Sequence, residues 1–166
     1  MIHTKETLLS ADYENKKICV TRSFDAPLEV VWRAWTEAEL LDKWWAPRPY
    51  RAETRTMDFR DGGYWLYAMV SPEGERTWNK STYSEIEPQK TFKQYTIFCA
   101  EDGIENPEMP SANWKYIFHP TDEGTTVEIE LFFGTIEGLK MILEMGFKEG
   151  FSMAHGNLDE LLAEVR

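Results

Sequence analysis

The chain has 166 residues, 42% hydrophobic and 28% charged, which describes one globular domain rather than a disordered segment or two domains. Eighteen Lys and Arg against 29 Asp and Glu leave a net charge of -11. That balance excludes nucleic acid and polybasic attachment to a membrane surface, since both need a positive face.

The N-terminal stretch MIHTKETLLSADYENKK lacks the basic start and apolar core of a secretory signal, and residues 1–15 read as a loose leader before one domain over 16–166. No apolar run approaches the roughly 18 residues of a membrane span. A cytoplasmic protein is the expectation, and the sequon Asn79-Lys80-Ser81 then carries no weight. Cys19 and Cys99, far apart and without a CxxC, read as small buried strand residues.

Residues 17–24 alternate, with Ile18, Val20 and Phe24 on one face, and predict a first strand. Arg22 interrupts that face, so it pairs with a buried carboxylate or sits at the strand's wet end. Asp25-Ala26-Pro27 changes the period: Asp25 suits an N-cap and Pro27 a first turn, with Val31 and Trp35 following at helical spacing. A second short helix over about residues 37–44 groups Leu40, Leu41 and Trp44, and the two prolines of Trp45-Ala46-Pro47-Arg48-Pro49 stop it. Trp44 and Trp45 read as core or lid packing.

Six antiparallel strands follow, at about 50–59, 63–70, 76–87, 91–99, 112–119 and 125–133, joined by turns such as Asp61-Gly62-Gly63 and Thr121-Asp122-Glu123-Gly124. Alternation puts Trp65, Tyr67 and Met69 on one inward face, then Trp114, Tyr116 and Phe118, then Val127, Ile129, Leu131 and Phe133. Ile136, Leu139, Leu143, Phe147, Phe151, His155, Leu158, Leu162 and Val165 then recur at three- and four-residue steps. They mark one face of an amphipathic helix of about 30 residues, in which Gly146, Gly150 and Gly156 signal a kink or a close approach.

This order, a strand, two short helices, a six-strand meander and a long helix, is the helix-grip arrangement. It is an α+β fold whose curved antiparallel sheet of about seven strands wraps a C-terminal helix. The words agree. VTRSFDAPLEVVWRAWTEAELLDKWWAP (20–47) resembles the opening of the SRPBCC (START-like) superfamily, and within it proteins similar to the activator of the ninety-kilodalton heat-shock chaperone ATPase. MDFRDGGYWLYAM (57–69), YSEIEPQKTF (83–92) and GFKEGFSMAHGNLDELLAEV (146–165) resemble its later strands and closing helix. The resemblance implies a cavity between sheet and helix, and a chaperone partner or a stress-response role as a rival to ligand binding. The eukaryotic activators carry an additional N-terminal domain where this chain has a short leader. Where the family often has Trp followed four residues later by Leu, this chain has Phe151 and His155, which alters the cavity rather than the fold.

The candidate cavity residues are Trp65, Tyr67, Met69, Trp114, Tyr116, Phe118, Phe147, Phe151 and His155. Tyr and Trp on a concave face either fill a core or line a site for a small hydrophobic or amphipathic molecule. His155 is either a satisfied core residue or a group that hydrogen-bonds a ligand or acts as a base. Gly150-Phe151-Ser152-Met153-Ala154 is a loose nucleophile elbow inside a helical period, where that motif needs a strand-to-helix turn. His3, His119 and His155 have no metal-ligand spacing, and no glycine-rich phosphate cradle is present. No metal or cofactor is therefore expected, and a cyclase, dehydratase or hydrolase reading has no second catalytic group to stand on. The oligomeric state, monomer or homodimer, is left open.

Overall fold

The alternation of residues 17–24 becomes a strand whose Ile18, Val20 and Phe24 are buried, as expected, and a computed structural model of the chain describes residues 2–165. Labelled in chain order, the strands are β1 (Leu8–Asp12), β2 (Lys17–Phe24), β3 (Arg51–Met57), β4 (Tyr64–Val70), β5 (Arg76–Glu87), β6 (Thr91–Cys99), β7 (Ala112–Thr121) and β8 (Gly124–Phe133). They form one antiparallel sheet of eight strands in the order β1-β2-β8-β7-β6-β5-β4-β3. The strand beyond the expected seven is β1, which lies in the stretch read as a leader. Leu8 pairs with Thr21 and Asp12 with Lys17, and Leu9 and Ala11 pack on the core. The hairpin turn is held by Asp12, whose carboxylate accepts from the Asn15 backbone N–H and Nδ2.

Because β2 and β3 lie near opposite edges of the sheet, the chain must cross six inter-strand gaps, about 29 Å along the sheet surface at about 4.8 Å each. Helices α1 (Leu28–Thr36) and α2 (Ala38–Trp44) make that crossing. Their nine and seven residues span about 24 Å end to end, and sheet curvature shortens the remaining chord. Pro27, not Asp25, occupies the N-cap of α1, with no side-chain cap. Asp25 instead accepts from Lys5 Nζ at 2.6 Å and pairs with His3 Nε2 at 2.8 Å. On α1, Val31, Trp32 and Trp35 are buried, and Trp32 meets Phe59, Phe92 and Phe118 edge-on. Trp44, fully buried, donates its indole N–H to the Ala34 carbonyl and locks the two helices together.

The expected single helix after β8 is two, α3 (Ile136–Glu144) and α4 (Phe147–Val165). Between them Gly146 takes φ +89, a left-handed conformation that a helix interior does not allow and that glycine adopts without steric cost. Thr135 caps α3 by accepting from the Gly138 N–H. Helix α4 buries Phe151, Ala154, His155, Leu158 and Leu162 between α1, α2 and the sheet. Cys19 and Cys99 are free and half-buried rather than fully buried. No helix among the described residues is long and apolar enough to cross a membrane.

Candidate functional site

A cavity of about 460 Å³ lies between the concave face of β4 to β8 and the break that separates α3 from α4. Its floor comes from alternate residues of the central strands: Tyr67 and Met69 on β4, Thr77 and Asn79 on β5, Thr96 and Phe98 on β6, Trp114 on β7, Leu131 and Phe133 on β8. Its roof is Ile142 on α3, Met145 and Gly146 at the break, and Phe147 and Phe151 on α4. Trp45, Pro47 and Tyr50 close one side. The break at Gly146 is thus also where the cavity approaches solvent, and Met145 and Tyr50 there are exposed.

Five of the nine residues expected around a cavity border it: Tyr67, Met69, Trp114, Phe147 and Phe151. The other four lie in the close-packed interior beside it. Trp65 stacks on Tyr67 at 3.8 Å and donates its indole N–H to Thr54 Oγ1, which donates in turn to Asp42. Burial raises the Asp42 carboxyl pKa, and this chain of bonds fastens α2 to β3 and β4. Tyr116 stacks on Phe92 at 4.5 Å, and Phe118 meets Trp32 at 5.0 Å, both in the aromatic layer beneath α1. Tyr116 is fully buried, and burial pushes its phenol far above the usual range.

His155 lies behind Phe151, with ring centroids 4.1 Å apart, and does not reach the void. Its ring is fully buried among Phe24, Trp35 and Trp44. Nδ1 is hydrogen-bonded to Thr7 Oγ1 at 2.7 Å, and Nε2 has no partner among the described residues. Burial, together with the nearby Arg22 guanidinium, pushes its pKa down to about 3. At neutral pH the ring is uncharged and a very weak base. Ser152 sits within the regular turns of α4, so no elbow forms around it. Among the described residues no group of three or more His, Cys, Asp and Glu could hold a metal ion.

Thr77, Asn79 and Thr96 are the polar floor residues that the sequence did not single out, and Phe98 is an apolar one. On β5 the inward Thr77, Asn79 and Ser81 are polar while the outward Trp78, Lys80 and Thr82 include a Trp, so alternation gave no apolar face to mark as the inward one. The structure buries Asn79, Ser81 and Gln94 inside the sheet's curve. Gln94 Nε2 donates to Thr96 Oγ1 at 3.2 Å, and Thr96 Oγ1 is bonded to Ser81 Oγ at 2.8 Å. The Tyr67 hydroxyl accepts from the Trp45 indole N–H at 3.1 Å, and burial holds its proton on.

Residues 25–163 match the family model described as Activator of Hsp90 ATPase homolog 1-like protein. Among solved structures, protein Ms6760 from Mycobacterium smegmatis is 28% identical, with a TM-score of 0.87 over 95% of this chain and 96% of that one. A protein from Arthrobacter aurescens is 26% identical, with a TM-score of 0.88 over 95% and 91%. The AHSA1 protein from Silicibacter pomeroyi is 18% identical, with a TM-score of 0.71 over 90% and 99%, a likeness of fold. No curated protein sequence matches the chain.

Proposed function

The chain belongs to the Activator of Hsp90 ATPase homolog 1-like family, and from that membership and the cavity together we propose that it binds a small hydrophobic or amphipathic molecule between the sheet and the C-terminal helices. The observation that carries this reading is a void of about 460 Å³ whose walls are mostly aromatic and aliphatic, with a few polar atoms on its floor. Sites for small organic molecules have that size and that lining. A void so large in a core that otherwise packs densely forgoes dispersion contacts, which a ligand restores.

The test is fluorescence of N-phenyl-1-naphthylamine, a neutral apolar probe, with native mass spectrometry of the purified chain to detect a co-purified ligand. Met69→Trp, which adds volume at the floor, is expected to keep the fold and weaken probe binding at least about tenfold, since the probe needs the void itself. Equal affinity in both proteins would place the probe elsewhere and sink the reading.

A chaperone-directed role is the second proposal, and the family's description is what supports it. A cytoplasmic location and a link to stress belong with that proposal. Stimulation of a chaperone ATPase by the purified chain is its test, and an unchanged turnover rejects it.

A further inference from the structure

The ring of residues around the cavity contains no Asp, Glu, Lys, Arg or His among the described residues, although the chain carries 18 Lys and Arg and 29 Asp and Glu. Its polar groups are neutral and sit together on the floor. Tyr67 and Asn79 are direct cross-strand partners on β4 and β5, so their side chains leave neighbouring points of one face. Asn79 is 7% exposed, and among the described residues its side chain makes one hydrogen bond, a long one of 3.4 Å from Nδ2 to the Thr77 carbonyl. With Nδ2 on the Thr77 carbonyl, the amide keeps one N–H and its Oδ1 without a partner among the described residues. The Tyr67 hydroxyl, which accepts from Trp45, donates to no acceptor among the described residues. A buried polar group with unused capacity is costly, and a ligand oxygen is the partner that the apolar walls do not supply.

We infer that the cavity selects an uncharged ligand, an apolar body carrying one oxygen function such as a ketone or an alcohol, and that Asn79 with Tyr67 is the group that recognises that oxygen. The inference rests on the binding reading above and adds the chemical class of the ligand. A ketone accepts from the Asn79 amide and the Tyr67 hydroxyl, and an alcohol both accepts and donates there. A carboxylate drawn onto the same floor loses its water with no cation to replace it, and burying an ion uncompensated is the more expensive of the two. The buried position of Asn79 also removes it as a glycosylation acceptor.

The experiment is displacement of N-phenyl-1-naphthylamine at pH 8 by three competitors: 2-decanone, decanoate and n-butylbenzene. In the wild-type chain 2-decanone is expected to compete at least about tenfold better than decanoate, since only the anion must surrender a charged hydration shell. Asn79→Leu is expected to weaken 2-decanone about threefold to tenfold, the worth of a neutral hydrogen bond, and to leave n-butylbenzene unchanged. Tyr67→Phe gives the same comparison should the Asn79 variant fold poorly. Decanoate competing as well as the ketone, or a ketone preference that survives both substitutions, overturns the inference while the binding reading stands. If the probe does not bind the wild-type chain at all, the binding reading fails, and this inference with it.

Discussion

Arg22 on β2 and Asp159 on α4 are joined by two hydrogen bonds, Nη1 to Oδ1 at 3.0 Å and Nη2 to Oδ2 at 2.6 Å. The guanidinium is 4% exposed and the carboxylate side chain 27%, so a cation inside the strand's apolar face reaches its partner at the edge of solvent. Arg22 also lies over the Phe24 ring, 4.9 Å from its centre, and donates to the Ser23 carbonyl. The pair ties the closing helix to the second strand of the chain, 137 residues away.

Removing one member leaves the other uncompensated. Asp159→Ala is expected to destabilise the fold by about 3 kcal/mol, the low end for a broken buried pair because Asp159 is partly solvated. Arg22→Met combined with Asp159→Ala should recover most of that loss, since an apolar pair needs no counter-charge. Urea melts of the wild-type chain, Asp159→Ala, Arg22→Met and the double variant give the coupling. A double variant no more stable than the single would show that packing, not charge, is what Asp159 provides.

Burial within α4 sets the next outcome. Leu158 is fully buried in the main core cluster, and Leu158→Ala is expected to cost about 2–5 kcal/mol, as other buried leucines do. A loss under about 0.5 kcal/mol by urea melting is too small for a leucine removed from a packed core, and would mean that α4 does not grip the sheet.

The helix break is tested at one residue. No atom lies within 4 Å of a Cβ built at Gly146, so space does not forbid a side chain there; φ +89 does. Gly146→Ala should therefore cost about 1 kcal/mol in backbone strain. A stabilised variant would indicate that the break straightens in solution and that α3 and α4 run on as the single helix that the periodicity suggests.

That break shows where reading the chain alone stops. Hydrophobic spacing through residues 136–165 continues across Gly146, because a bend that keeps the same face inward leaves the spacing intact. The six strands from 51 to 133 were legible because period two and turn chemistry coincide there. β1 was not, since its Leu8 is exposed and the turn that pairs it depends on a side-chain bond from Asp12 to Asn15. At the site, alternation separates inward from outward residues but does not separate those that border a void from those packed solidly behind it. Tyr67 and Trp65 share one face and one stack, yet Tyr67 lines the cavity and Trp65 does not. The polar floor was invisible because Thr and Asn look like surface residues until the sheet's curve is known.

The acidic composition makes a prediction independent of the site. With a net charge of -11, the chain should bind neither duplex nor single-stranded nucleic acid in a salt-sensitive way, because that attraction requires clustered cations to displace counterions from phosphate. Micromolar binding at about 150 mM salt that weakens steeply with added salt would contradict this, since that is the signature of phosphate contacts.

His155 supplies the pH dependence. In the folded chain its pKa lies near 3, lowered first by burial and then by Arg22. In the unfolded chain it returns to about 6.5. Below that value the unfolded state takes up a proton that the folded state refuses, so the stability contributed by the neutral ring is complete above about pH 6.5 and is lost as the pH falls towards 3. Between pH 7 and about pH 4.5 the wild-type chain should lose about 2–3 kcal/mol more than His155→Leu, which has no proton to accept. The leucine variant gives up the bond to Thr7, so its stability at pH 7 is not the comparison; the slope with pH is. Urea midpoints across that range measure it. Parallel slopes for the two proteins would mean that the imidazole takes up its proton while folded, with solvent reaching Nε2 through the aromatic cluster that encloses it.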